Sequence, residues 1–243
     1  MDYKECKVLC NLKKKDTPLI SKVETDEFTE MVNKCFDYDF NGESKFYPYE
    51  LPQQILDMDF DILCIVGASG KGKSTLCKEF LNNNLYHYAN KQFDNNKAIV
   101  SNFNNPDNAA HKLSAVGLNS LPVWCRPRNV LSVGEGFRAD IALNVSSYTI
   151  FDEFTSTIDR NVAMSTSNGL QKYIRTMGKM NHVIFCSCHK DYIPFLKPNI
   201  VIDLDEEKIY DCGDGTCLGK TYLSKCTNPQ KKTFGEYLGS ITI

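Results

Sequence analysis

"GASGKGKST", residues 67–75, decides the fold of this chain. It follows "DILCIV" (61–66), a short aliphatic and β-branched run that reads as a buried strand, and it opens "KSTLCKEFLNN" (73–83), whose spacing is helical. Gly67, Gly72, Lys73 and Ser74 supply the G-x-x-x-x-G-K-[ST] pattern in the strand-to-helix setting that makes it a phosphate cradle. The backbone from Gly67 through Ala68, Ser69, Gly70, Lys71 and Gly72 to Thr75 can wrap a β-phosphate. Lys73 carries a fixed positive charge toward the β and γ oxygens, and the Ser74 hydroxyl is suited to Mg²⁺.

Working outward, "YTIFDE" (148–153) is a second strand candidate that ends in two carboxylates. Asp152 stands where it can hold magnesium through water, and Glu153 where it can polarise an attacking water as general base. "LSVGEGFRA" (131–139) sets Ser132 before Gly134 and Glu135 at the start of a helix, the makeup of an anion-binding helix N-terminus. One chain therefore carries two phosphate-type sites. "HVIFCSCH" (182–189) is a further strand candidate, taken to end in His189.

In this order the pieces resemble the ATP-binding cassette (ABC) ATPases across about residues 61–205. "LSVGE" is similar to the family signature LSGGQ, "STID" (156–159) to its D-loop, and His189 to its switch histidine, which touches the γ-phosphate. The resemblance implies an α/β P-loop fold with a mixed central sheet, an antiparallel β layer and a helical subdomain. It further implies ATP and Mg²⁺ as cofactors, hydrolysis with Glu153, His189 and Lys73 as catalytic groups, and a head-to-tail, ATP-dependent homodimer in which Ser132, Gly134 and Glu135 hold nucleotide in trans. Gln92, ahead of "KAIVSNF", is the candidate Q-loop ligand of the metal, and Phe36 is preferred over Tyr38, Tyr47 and Tyr49 as the aromatic that stacks on adenine.

The sequence also departs from the family. Val133 replaces a signature glycine, and Glu135 replaces glutamine, as in the SMC-like DNA-repair branch. Only 59 residues separate Lys73 from Ser132, so the helical subdomain that grips membrane partners in transporters is reduced. The wording is nearest to soluble ABC-type ATPases of bacteria and phages, which implies nucleic acid or a protein–nucleic acid assembly as partner. Three alternatives stay open: an ATP-gated binding module with little turnover, a P-loop kinase, and a transporter's nucleotide-binding subunit. A kinase has no use for "LSVGE" or "STID".

Composition bounds the rest. The chain of 243 residues with 42% hydrophobic and 24% charged residues is ordinary for a globular protein, and a net charge of −2 gives no general pull toward nucleic acid. "ILCIV" (62–66) is far short of a membrane span, and "MDYKECKVLC" has no apolar leader, so no membrane role is expected. Eleven cysteines then read as reduced thiols of a cytoplasmic protein. Cys186, Cys188 and His189, with Cys212, Cys217 and Cys226, are a weak zinc pattern; Cys186 and Cys188 are read as pointing the same way on one strand.

A single domain is expected over residues 1–243. It runs from an antiparallel layer (1–60) through the phosphate-loop strand and helix (61–81) to a reduced helical subdomain (82–147). A closing segment (148–243) follows, with a hairpin turning near Glu206. Ten asparagines between 82 and 108 mark that stretch as loop-rich.

Overall fold

The structure, a computed structural model, describes residues 2–215. Its centre is a seven-stranded sheet built around the strand before the phosphate loop. In chain order the strands of this sheet are β1 (Lys7–Asn11), β6 (Ile62–Val66), β7 (His87–Tyr88), β8 (Thr149–Phe151), β9 (Val183–Ser187), β10 (Ile200–Asp203) and β11 (Lys208–Asp211). They lie side by side as β1-β11-β10-β6-β9-β8-β7. The run from β10 to β7 is parallel, and β11 and β1 add an antiparallel margin.

Every residue of β6 and β9 is buried. Parallel strands covered on both faces need such unbroken apolar runs, which is why "ILCIV" and "VIFCS" lack polar alternation. Successive residues still serve opposite faces. Ile62, Cys64 and Val66 join Phe151, Phe185 and Val201 in one core, while Leu63 and Ile65 join Ile150, Ile184 and Ile202 in the other. Helix α3 (Lys73–Leu81) covers the second core with Leu76, Cys77 and Phe80.

The first core is covered by α4 (Pro106–Ala115), α6 (Val133–Asn144) and α7 (Arg160–Lys172), with α5 (Leu121–Trp124) at its margin. The Asn105 side chain caps α4 by accepting from the Asn108 N–H, and left-handed Gly117 follows the helix end. Helices α4 and α7 approach closely at Gly169, where an added Cβ would collide with the Ala115 carbonyl oxygen. Thr166 on the same helix donates its hydroxyl to the Val116 carbonyl at 3.2 Å. A π-helical turn, Tyr173–Met177, extends α7, and α8 (Ile193–Leu196) precedes β10.

Residues 2–60 are more varied than an antiparallel layer. Strand β1 belongs to the main sheet, where it pairs with β11 across a bulge between Val8 and Cys10. Only β2 (Lys13–Lys14) with β5 (Tyr49–Glu50), and β3 (Leu19–Lys22) with β4 (Glu43–Phe46), form separate antiparallel pairs. Between them stands α1 (Glu27–Phe36), started by a capping box of Asp26 and Thr29, and α2 (Gln53–Leu56) follows β5. In the asparagine-rich stretch, β7 is drawn into the main sheet beside β8. The β10–β11 hairpin turns at residues 204–207, as the sequence suggested. Among the described residues no helix is long and apolar enough to cross a membrane.

Candidate functional site

Parallel pairing brings the ends of β10, β6, β9 and β8 to one rim. Asp203 lies opposite Val66, Val66 opposite Ser187, and Phe151 beside Phe185. The chain segments that leave this rim are the phosphate loop, the Asp152–Glu153 turn, the Cys188–His189 loop and the turn at Asp205. Such a rim is where open α/β sheets bind ligands.

The phosphate loop leaves Ala68, Ser69, Gly70 and Lys71 exposed and enters α3 through Gly72, whose φ of 96° places it in the left-handed region. Lys73 is 6% exposed, and its ammonium donates to the Gly67 and Ala68 carbonyls at 2.8 and 3.0 Å. The loop is thus closed around its own cation. Ser74, one residue on, donates its hydroxyl to Asp152 Oδ2 at 2.7 Å, although 78 residues separate the two in sequence.

This pair tests the fit of magnesium. A hydroxyl and a carboxylate are hard oxygen donors, and Mg²⁺ takes few protein ligands besides substrate phosphates and water. Among the described residues no group of three or more His, Cys, Asp or Glu is gathered. Gln92 is exposed, with its side-chain amide donating to the Asn90 carbonyl at 3.4 Å.

Glu153 follows Asp152 in a tight turn. Its φ is 54°, and Thr155 has φ 65°, both left-handed and costly for residues with a Cβ. Phe154 between them is buried against Phe137, Phe185 and Tyr192, and its N–H donates to the Cys186 carbonyl at 2.7 Å. A deeply anchored aromatic thus forces its neighbour, Glu153, outward to an exposed position at the rim. Asp159 of the "STID" stretch caps α7, accepting from the Asn161 and Val162 N–H groups.

His189 lies on the loop after β9, not at the end of the strand, because the strand stops at Ser187. The Ser187 hydroxyl accepts from the His189 N–H at 3.1 Å and bends the chain there. The same early stop corrects the reading of Cys186 and Cys188 as strand residues on one face. Cys186 is fully buried with its sulfur 2.9 Å from that of Cys77, whereas Cys188 is exposed. Cys212 is buried, and Cys217 and Cys226 lie outside the described residues.

Ser132 caps α6, as the sequence suggested, and does so with Glu135. The Ser132 N–H and hydroxyl both donate to Glu135 Oε2, at 3.0 and 2.8 Å, and the Glu135 N–H returns a bond to Ser132 Oγ. These Ser132 bonds, aided by Arg138 and Arg126, hold the Glu135 carboxyl below the usual carboxylate range. Gly134 faces the "STID" segment of its own chain, with Ile158 Cγ2 3.7 Å from where a Cβ would stand.

The aromatic beside the phosphate loop differs from the one expected. Phe36 ends α1 with 74% of its surface exposed. Tyr49 is buried, with its hydroxyl on Glu207 and the Leu204 carbonyl. Phe46, at the end of β4, instead lays its ring against Gly72, so close that a Cβ there would meet Phe46 Cζ at 2.6 Å. Three further residues at the rim escaped the sequence reading. Asp205 accepts the Ala68 N–H at 3.0 Å, and Lys190 bridges Asp205 to the buried Asp203.

No protein-family model and no curated protein sequence matches this chain. Solved structures do match at low identity. A dimeric bacterial ABC transporter cassette is 14% identical, with a TM-score of 0.48 over 79% of this chain and 93% of its own. The same cassette in a dimeric post-hydrolysis state bound to ADP and Pi gives 14%, 0.47, 83% and 95%. CbiO1 of Clostridium perfringens, part of the cbiONQ ABC transporter complex, gives 15%, 0.46, 74% and 87%.

Proposed function

We propose that this protein is an ABC-type ATPase that binds and hydrolyses ATP with Mg²⁺, working as a head-to-tail homodimer outside the membrane. The observation that carries the proposal is the 2.7 Å bond between Ser74 and Asp152, beside a buried Lys73 that already faces the loop. On this reading, two motifs far apart in sequence would act as one metal- and phosphate-binding unit. Magnesium would supply charge neutralisation across the β and γ phosphates.

The remaining work falls to the chain's own groups. Lys73 would exchange its two carbonyl partners for phosphate oxygens, and the exposed 68–71 backbone would wrap the anion. Glu153, thrust to the rim by Phe154, would accept the proton of the attacking water, and His189 would face the γ-phosphate. Phe46, beside Gly72, would take the adenine face in place of Phe36. Ser132 and Gly134 would meet nucleotide on a second copy. The resemblance of Glu135 to the SMC-like branch supports nucleic acid or a protein–nucleic acid assembly as the coupled partner.

Paired substitutions test this reading. Lys73→Ala should lose tight ATP binding by calorimetry. Glu153→Gln should bind ATP normally and turn it over at least about a hundredfold more slowly, because an amide cannot take the proton. Normal turnover by Glu153→Gln would remove the general-base assignment, and undiminished affinity in Lys73→Ala would remove the phosphate cradle.

A further inference from the structure

Lys190 follows His189 directly, and its ammonium is shared between two carboxylates. It donates to Asp203 Oδ1 and Oδ2 at 2.9 and 3.0 Å and stands 2.9 Å from Asp205 Oδ2. Asp203 is fully buried at the end of β10 and also accepts from the Tyr3 hydroxyl at 2.7 Å and from the Asp205 and Glu206 N–H groups. Asp205 passes the connection on, because its other oxygen accepts the N–H of Ala68, the second residue of the phosphate loop. Leu204 completes the contact, packing so near Gly67 that a Cβ there would lie 2.9 Å from Leu204 Cβ.

A buried carboxylate needs a countercharge, and Lys190 provides one for Asp203. That need does not account for the second carboxylate. Asp205 is one-third exposed and could be solvated, yet it bonds to Lys190 on one side and the phosphate loop on the other. Burial raises its carboxyl, but the Ala68 N–H, Lys190 and Lys71 outweigh this and keep it below the ordinary range.

We infer that Lys190 and Asp205 are positioning residues that lock the His189 loop to the phosphate loop, so that the two keep one relative placement. The inference rests on the ATPase reading for its catalytic consequence and on the geometry alone for the coupling. A histidine displaced by an ångström relative to the γ-phosphate site costs rate without costing nucleotide affinity, which the phosphate loop carries.

The test uses the full chain with Lys190→Met, Lys190→Arg and Asp205→Ala. In Lys190→Met, amide hydrogen exchange without nucleotide should rise together in residues 67–72 and 187–191. Its kcat should fall about ten- to a hundredfold while ATP affinity stays within about threefold. Lys190→Arg should restore most of both. Asp205→Ala should loosen residues 67–72 and lower kcat, yet leave 187–191 protected through the Lys190–Asp203 pair; it also decides the matter if Lys190→Met does not fold. Exchange rising in 187–191 alone in Lys190→Met, or an Asp205→Ala protein with unchanged loop exchange and kcat, would overturn the coupling. A wild-type protein that hydrolyses no ATP would instead sink the ATPase reading, and the exchange results would still decide the coupling.

Discussion

Under the proposed head-to-tail pairing, Glu135 would stand where a partner's γ-phosphate arrives, and it would do so as an anion. Its Ser132 bonds keep it ionised at neutral pH, so the α6 N-terminus is already engaged by a negative group of its own chain. Glutamine at this position preserves the capping box, since either side chain can accept from the Ser132 N–H. Glu135→Gln therefore removes charge and little else. ATP-dependent association of that variant, followed by sedimentation, should be roughly fivefold tighter at low salt and converge on wild type at high salt. Equal or weaker association would mean that phosphate never approaches this helix end.

The residue scale is also where the sequence was most and least legible. Lys73 and Ser74 open α3, Asp152 follows β8 and Ser132 caps α6, each at a strand or helix terminus that the local sequence signals. Phe46 was missed for the opposite reason. Its closeness to Gly72 depends on how β4 folds back over the loop, and nothing local distinguishes it from Phe36, Tyr38 or Tyr47.

Among the elements, the buried strands were readable because their apolar runs are short and bounded by glycine or charge. The helix α1 was not foreseen, although "DEFT" carries a capping signal in Asp26 and Thr29, and Phe28, Met31 and Val32 recur at helical spacing. Flanking β-like pieces masked it. The contact of α4 with α7 was likewise invisible, since it depends on a glycine and a carbonyl 54 residues apart meeting in space. That contact holds α4 against α7 over the first core. Gly169→Val should separate the two helices and lower unfolding stability by about 2–3 kcal/mol in urea titration. Stability unchanged within about 0.5 kcal/mol would show that the helices do not depend on this close approach.

For the whole molecule, the proposed function gives the chain one phosphate cradle and one signature helix, and a two-fold pairing of identical copies would satisfy both. Lys73→Ala and Ser132→Arg should each be inactive alone. Mixed, they form a heterodimer with one intact composite site and one doubly broken site, so ATP hydrolysis should partly return. A mixture that stays inactive, while each protein folds and associates, would count against independent sites completed in trans.

The margins of the central sheet bear on how such copies could meet. At one side β7 is only two residues long, and at the other β1 is interrupted by a bulge between Val8 and Cys10. A flat, uninterrupted margin would invite a neighbouring chain to add its own strand and stay; these two described margins offer no template of that kind. Under the proposed pairing, copies would then recognise each other through side chains and loops and not by adding strands. Encounters between copies would then stay reversible, with a lifetime that a bound nucleotide could set.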